Sequence, residues 1–230
     1  MKQSINYHFA ILVFSILSCG PESPYDTSTP EKFITALGQV GERPKEENPI
    51  PYFYSKDDAT AITTYDEAGG RAIGTFQAFK SAIAENFPDK VKTNVENKIV
   101  LEPYRMGPMS LSFSLSASMI RDQIQDRKAS DYKFISATDP DENNMVEITF
   151  LMLGNESKLE VTKFGDQYMM TMTEESLAQL NKMVGFFNQA DEFFTTNLAA
   201  INNKEITGEN LMDKATLWEK DYLGLLKLLN

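Results

Sequence analysis

Residues 145–169, "MVEITFLMLGNESKLEVTKFGDQYM", change hydropathy at every second position and break twice at glycine. Val146, Ile148 and Phe150 alternate with Glu147 and Thr149, while Leu159 and Val161 alternate with Lys158, Glu160 and Thr162. Successive side chains of a strand point to opposite faces, so each run builds one apolar and one polar face. Gly154-Asn155 and Gly165-Asp166 separate the runs. Each reads as a two-residue loop with glycine first, in a turn that needs positive φ at its first central residue. With "YKFISAT" in front, residues 132–172 predict an antiparallel meander of at least three strands. Its outer face is polar, so the other side is expected to pack on helices.

Working outward, "DPDENN" joins the first two of these strands. Asp139, Asp141 and Asn143 match the opening of a calcium loop, but Asn144 stands where glycine belongs and Phe150 where the bidentate acid belongs. An acidic hairpin loop is the better reading. Further upstream, "MSLSFSLSASM", residues 109–119, alternates apolar residues with serine and predicts a strand with one buried face. From Met119 to Arg127 the period turns helical.

Helices flank the meander on both sides. In "STPEKFITALGQV", Ser28 or Thr29 caps, Pro30 fits the first turn, Phe33, Ile34 and Leu37 make the apolar face, and Gly38 ends the run. Ser55 with Asp58 opens a short helix; Thr64 with Glu67 resembles a capping box that starts a longer one, Asp66 to Asn86. Gly69, Gly70 and Gly74 lie inside it. A phosphate cradle requires a strand just before them, and none is legible, so a helix joint or a close packing contact is the preferred reading. After the meander, Thr173, Glu174 and Glu175 start a helix with the stripe Leu177, Leu180, Val184, Phe187, Phe194 and Leu198. A turn at "NNKEITGEN" follows. Leu211, Ala215, Trp218, Tyr222, Leu225 and Leu229 then step by four and three, the seam of a paired helix. This seam either closes an αα-hairpin or docks another protein. The expected architecture is α+β: N-terminal helices packed on a curved antiparallel β-meander, with a C-terminal helical hairpin.

The amino terminus carries an address. Lys2 precedes the nearly continuous apolar run "FAILVFSIL", Phe9 to Leu17, the layout of a secretory signal peptide. A membrane-spanning helix needs about twenty apolar residues, so this run is too short to remain as an anchor. Ile16, Leu17, Ser18 and Cys19 resemble the lipobox of bacterial lipoproteins, although Leu17 is larger than the residue usual there. The resemblance implies cleavage between Ser18 and Cys19 and a diacylglycerol thioether on Cys19. A single acyl chain holds only marginally, and two or three make the anchor durable. Gly20–Thr29, rich in Pro, Ser and Thr, reads as a flexible linker. Residues 1–18 are thus expected to be a signal peptide, 19–29 the lipidated cysteine and linker, 30–172 an α+β domain and 173–230 a hairpin extension.

Cys19 is the sole cysteine, and the sole histidine, His8, lies inside the leader. A mature chain without imidazole or free thiol excludes Ser-His-Asp and Cys-His catalysis and His/Cys metal sites. The net charge of −11 disfavours nucleic acid. No cofactor is implied. "PEKFITAL", residues 30–37, following a lipobox and linker, is similar to the opening of small secreted lipoproteins with a nuclear transport factor 2-like (cystatin-like) domain, across residues 28–172. That resemblance implies an apolar pocket between sheet and helices. The expectation is therefore a non-catalytic, lipid-anchored protein of the bacterial cell envelope that binds a protein partner or an apolar small molecule. Gly20 after the cysteine resembles the outer-membrane sorting pattern of enterobacterial lipoproteins, with the domain facing the periplasm. The competing expectations are an enzyme working through carboxylate and tyrosine, without histidine, and a structural element of the envelope.

Overall fold

A computed structural model of the chain describes residues 23–44, 47–90, 98–101, 109–112 and 128–229. Two cores organise it. In the first, α1 (Pro30–Gln39) and the single turn α2 (Ile50–Phe53) pack on a four-stranded antiparallel sheet in the order β3-β4-β5-β6. Its strands are β3 (Tyr132–Ala137), β4 (Met145–Met152), β5 (Asn155–Phe164) and β6 (Gln167–Met169). Val146, Ile148, Phe150 and Val161 are buried against Phe33, Ile34, Leu37 and Phe53. The opposite face is largely polar, with Phe164 exposed on it, and Lys158 and Glu147 pair there at 2.7 Å. The alternation of residues 145–162 thus places its apolar set inward, as expected.

The turn chemistry differs at one hairpin. Met152 pairs with Asn155, so the first loop is Leu153-Gly154 rather than Gly154-Asn155. Both of its residues have positive φ, +53° and +82°. That is the turn whose twist best matches paired strands, and it prefers Asn-Gly. Leucine is strained there and 63% exposed. Left-handed backbone costs a leucine about 1–2 kcal/mol, so Leu153→Asn is expected to stabilise the protein by about 1 kcal/mol in urea denaturation. At the second hairpin Phe164 pairs with Gln167, and Gly165 takes φ +59° at the first loop position, as the sequence indicates.

The second core is a bundle of α3 (Lys56–Asn86), α4 (Glu174–Asn202) and α5 (Leu211–Leu226). Tyr65 meets Phe187, Arg71 bonds Asn188, Thr75 bonds Asp191, and Phe76 meets Phe194. Residue numbers rise together along both helices, so α3 and α4 run parallel. α5 returns antiparallel, with Trp218 beside Asn197 and Tyr222 beside Phe194. The C-terminal helical pair is present, and α3 joins it as the third member.

α3 is one helix, where the sequence suggested two. The Thr64 hydroxyl donates back to the Thr60 carbonyl and caps nothing, while Ala59, Ile62, Tyr65 and Ala68 carry one buried stripe through the supposed boundary. Gly70 and Gly74 are exposed mid-helix residues, and a Cβ at either would meet open space. Neither is a joint or a close contact. Gly74→Ala is therefore expected to raise stability by about 1 kcal/mol, read as a higher thermal midpoint. Gly38, expected to end α1, lies within it; there a Cβ would stand 2.7 Å from the Ala129 Cα, so α1 can approach the turn before β3 only with glycine.

A further hairpin pairs β1 (Lys98–Leu101) with β2 (Met109–Ser112). β2 is the start of the expected serine-alternating strand; its remainder and the helical period up to Arg127 lie outside the described residues. The loop at 139–144 is closed by Asp141, whose carboxylate accepts the N–H groups of Asn143 and Met145 at 2.8 Å each.

The expected flexible linker is also revised. From Pro24 onward the chain is packed: Tyr25 is 2% exposed, with its ring 4.9 Å from Phe53 and 5.4 Å from Tyr52. The Tyr168 N–H donates to the Thr27 carbonyl at 2.9 Å, laying the segment along β6. Composition hid this, because one aromatic residue among Pro, Ser and Thr has no period to reveal its burial.

Candidate binding groove and the C-terminal seam

The joint between the two cores is where α2 ends and α3 begins. Met170, just past β6, forms a parallel bridge with Tyr54; its N–H donates to the Phe53 carbonyl at 2.7 Å and its carbonyl accepts from Ser55 at 3.3 Å. Ser55 caps α3 and Thr173 caps α4, so two parallel helices start side by side. Their N-terminal N–H groups create positive potential at one place. Asp58 answers it. Only 5% exposed, it accepts the Ser55 hydroxyl at 2.8 Å and the Met172 N–H at 3.1 Å on one oxygen.

Against this joint lies a groove of about 500 Å³, lined by Pro51, Tyr54, Ala59, Thr63 and Met169, with Lys56 and Glu67 among the polar lining residues. The hydroxyls of Thr60, Thr63 and Thr64, which also line it, each donate to the carbonyl four residues back. With those donors engaged in the helix, the wall offers mainly methyl and methylene surface. Burial, and secondarily the charge of Asp58, pushes the Tyr54 phenol above its ordinary value. Asp58 itself does not line the groove; its carboxylate ties α3 to the segment entering α4. A buried acid beside a tyrosine is the arrangement an acid–base enzyme uses, yet here the acid is committed to structure.

The seam on α5 is filled from within the chain. Leu211, Ala215, Trp218 and Tyr222 are buried in the helical core, and Leu225 and Leu229 pack half-buried against it. The Trp218 ring stands edge-on to Phe79 of α3 at 5.0 Å, and its Nε1–H donates to the Asn197 side chain of α4. Burial pushes the Tyr222 phenol up to about 12. The paired helices that the seam's period announces are α3 and α4. Ser18 and Cys19 lie outside the described residues.

Sequence reasoning missed the groove. Its lining comes from α2, α3 and β6, and no local pattern links Pro51 to Met169; the one legible signal was the Ser55–Asp58 cap.

The fold and groove define an α+β protein, a sheet with two helices on one face joined to a three-helix bundle. Compared with known proteins, the chain matches no family model, no curated sequence and no solved structure. Among the described residues no helix is long and apolar enough to cross a membrane.

Proposed function

We propose that this is a lipoprotein of the bacterial cell envelope, anchored through Cys19, that acts without catalysis by binding an apolar ligand or an apolar side chain of a protein partner. The groove beside Tyr54 and Met169 carries the binding part of this reading, because its threonine hydroxyls are already engaged and apolar surface is left to make contacts. The leader and lipobox at residues 9–19 support the anchor. The outer membrane, with the domain in the periplasm, is the proposed site. The second reading is a carboxylate–tyrosine enzyme, whose foothold is Tyr54 next to Asp58; the hydrogen bonds held by Asp58 weigh against it.

Two measurements test the proposal. Cells fed labelled palmitate are expected to label the wild-type protein and not Cys19→Ala; an unlabelled wild type that keeps Met1 refutes the anchor. Pull-down from the organism's own membranes, compared with the groove variant Thr60→Lys, tests binding. Thr60 is exposed on α3, so the variant is expected to fold and to lose whatever the wild type retains. Identical retention by both proteins rules the groove out.

A further inference from the structure

We infer that the domain is held close against the bilayer in one orientation, with the face around Pro24, Glu42 and Arg43 toward the lipid headgroups. The inference rests on lipidation of Cys19 and adds to it a short tether and a defined membrane-facing surface.

Three observations carry it. First, the chain is fastened to the fold from Pro24 onward, and only Gly20, Pro21, Glu22 and Ser23 stand between that point and Cys19. An extended chain spans at most about 3.3–3.6 Å per residue, so Cys19 can lie no farther than about 18 Å from Pro24. A linker running free to Thr29 would allow about twice that.

Second, the segment after Ser23 is fastened at successive points. The Arg43 guanidinium lies 4.9 Å from the Tyr25 ring centroid and donates to the Pro24 carbonyl at 3.1 Å, while Glu47 accepts from it at 3.4 Å. Tyr25 is buried between Tyr52 and Phe53, Thr27 is bonded to β6, and Asp26 pairs with Lys32 of α1 at 2.8 Å. To lengthen the tether, the buried Tyr25 ring must leave the core. Tyr25 is 2% exposed, and returning its ring to water is unfavourable enough that the packed state dominates.

Third, the α4–α5 turn lies a full helix length from β6, to which the Thr27 carbonyl is bonded. α4 starts next to β6 and runs for 29 residues, about 43 Å, before the turn to α5. The α4–α5 turn therefore stands well away from where the tether leaves the fold. The surface that must meet headgroups is set by where the tether leaves the fold.

The thioether leaves no free thiol, so a single introduced cysteine can be labelled uniquely. Lipidated full-length Glu42→Cys and Glu209→Cys, each carrying a donor dye, are reconstituted in phosphatidylethanolamine/phosphatidylglycerol vesicles with acceptor on the headgroups. Both sites are exposed, Glu42 next to Arg43 and Glu209 in the α4–α5 turn. Energy transfer is expected to be several-fold greater from position 42 than from position 209. Twelve Gly/Ser residues inserted after Gly20 are expected to lower it sharply at position 42. Equal transfer from the two sites, in protein whose diacylglycerol is verified by mass, overturns the orientation while leaving the anchor standing. Protein that carries no lipid by mass overturns both.

Discussion

Trp218→Ala is expected to cost about 3–5 kcal/mol of folding stability, the range for removing a fully buried aromatic side chain. Trp218 is 2% exposed and touches both other helices, Phe79 of α3 by its ring and Asn197 of α4 by its indole N–H. Truncation leaves a void where three helices meet and strips the Asn197 carbonyl of its donor. The Asn197 amide still donates to the Phe193 carbonyl at 2.8 Å, so that side chain cannot turn to find a substitute without losing a second bond. Equilibrium urea unfolding followed by far-UV circular dichroism checks this, with a lower midpoint at unchanged slope as the expected result. Trp218→Phe separates the two contributions: it keeps an aromatic edge against Phe79 and loses only the hydrogen bond and some volume, for about 1–2 kcal/mol. A loss below about 1 kcal/mol for the alanine variant would mean that the bundle does not close on this residue.

Asp58→Ala is expected to cost about 2–4 kcal/mol, a large effect for a side chain at a helix start. The cap of α3 is the Ser55 hydroxyl, which accepts the Asp58 N–H and survives the change, while its own O–H loses an acceptor that contributes about 1 kcal/mol. Here the same carboxylate oxygen also holds the Met172 N–H from across the joint, where α3 and α4 start together. Hydrogen bonds to a charged group contribute about 1.5–3 kcal/mol, and alanine leaves the Met172 N–H without its acceptor. Asp58→Asn retains an acceptor without the charge and is expected to lose about half as much. Hydrogen exchange gives a local readout: the Met172 amide is expected to exchange far faster in Asp58→Ala, with the β4–β5 hairpin little changed. If Asp58 were instead a catalytic acid held in strain, its removal would raise stability. A stabilised alanine variant would therefore reverse the structural assignment in favour of the enzyme reading.

Why some of this was legible in the residues and some was not has a consistent cause. The meander showed itself because a period of two is a local property: Val146, Ile148 and Phe150 face one way whatever lies beneath them. The α5 seam showed itself for the same reason at helical spacing. The turn at Leu153-Gly154 was misplaced by one residue because a glycine suits either loop position, and only the pairing of Met152 with Asn155 decides between them. α3 was split in two because Thr64 and Glu67 have capping chemistry, yet nothing in four residues says whether a helix is already under way. The linker misled through composition, since burial of Tyr25 depends on Tyr52, Phe53 and Arg43 far along the chain.

By itself, then, the sequence determined the alternating strands, the helical stripes, the α+β class and the chemical poverty of a chain with one thiol and one imidazole, both within its first nineteen residues. Tertiary structure alone decided that α3 runs parallel to α4, that a buried carboxylate joins their starts, that Gly38 admits the backbone of Ala129, and that Pro24–Thr29 is bound down. The physical reason is that hydrophobic periodicity reports which face of an element leaves water. What that face meets is set by the complementary shape of residues distant in the chain, which local pattern does not carry.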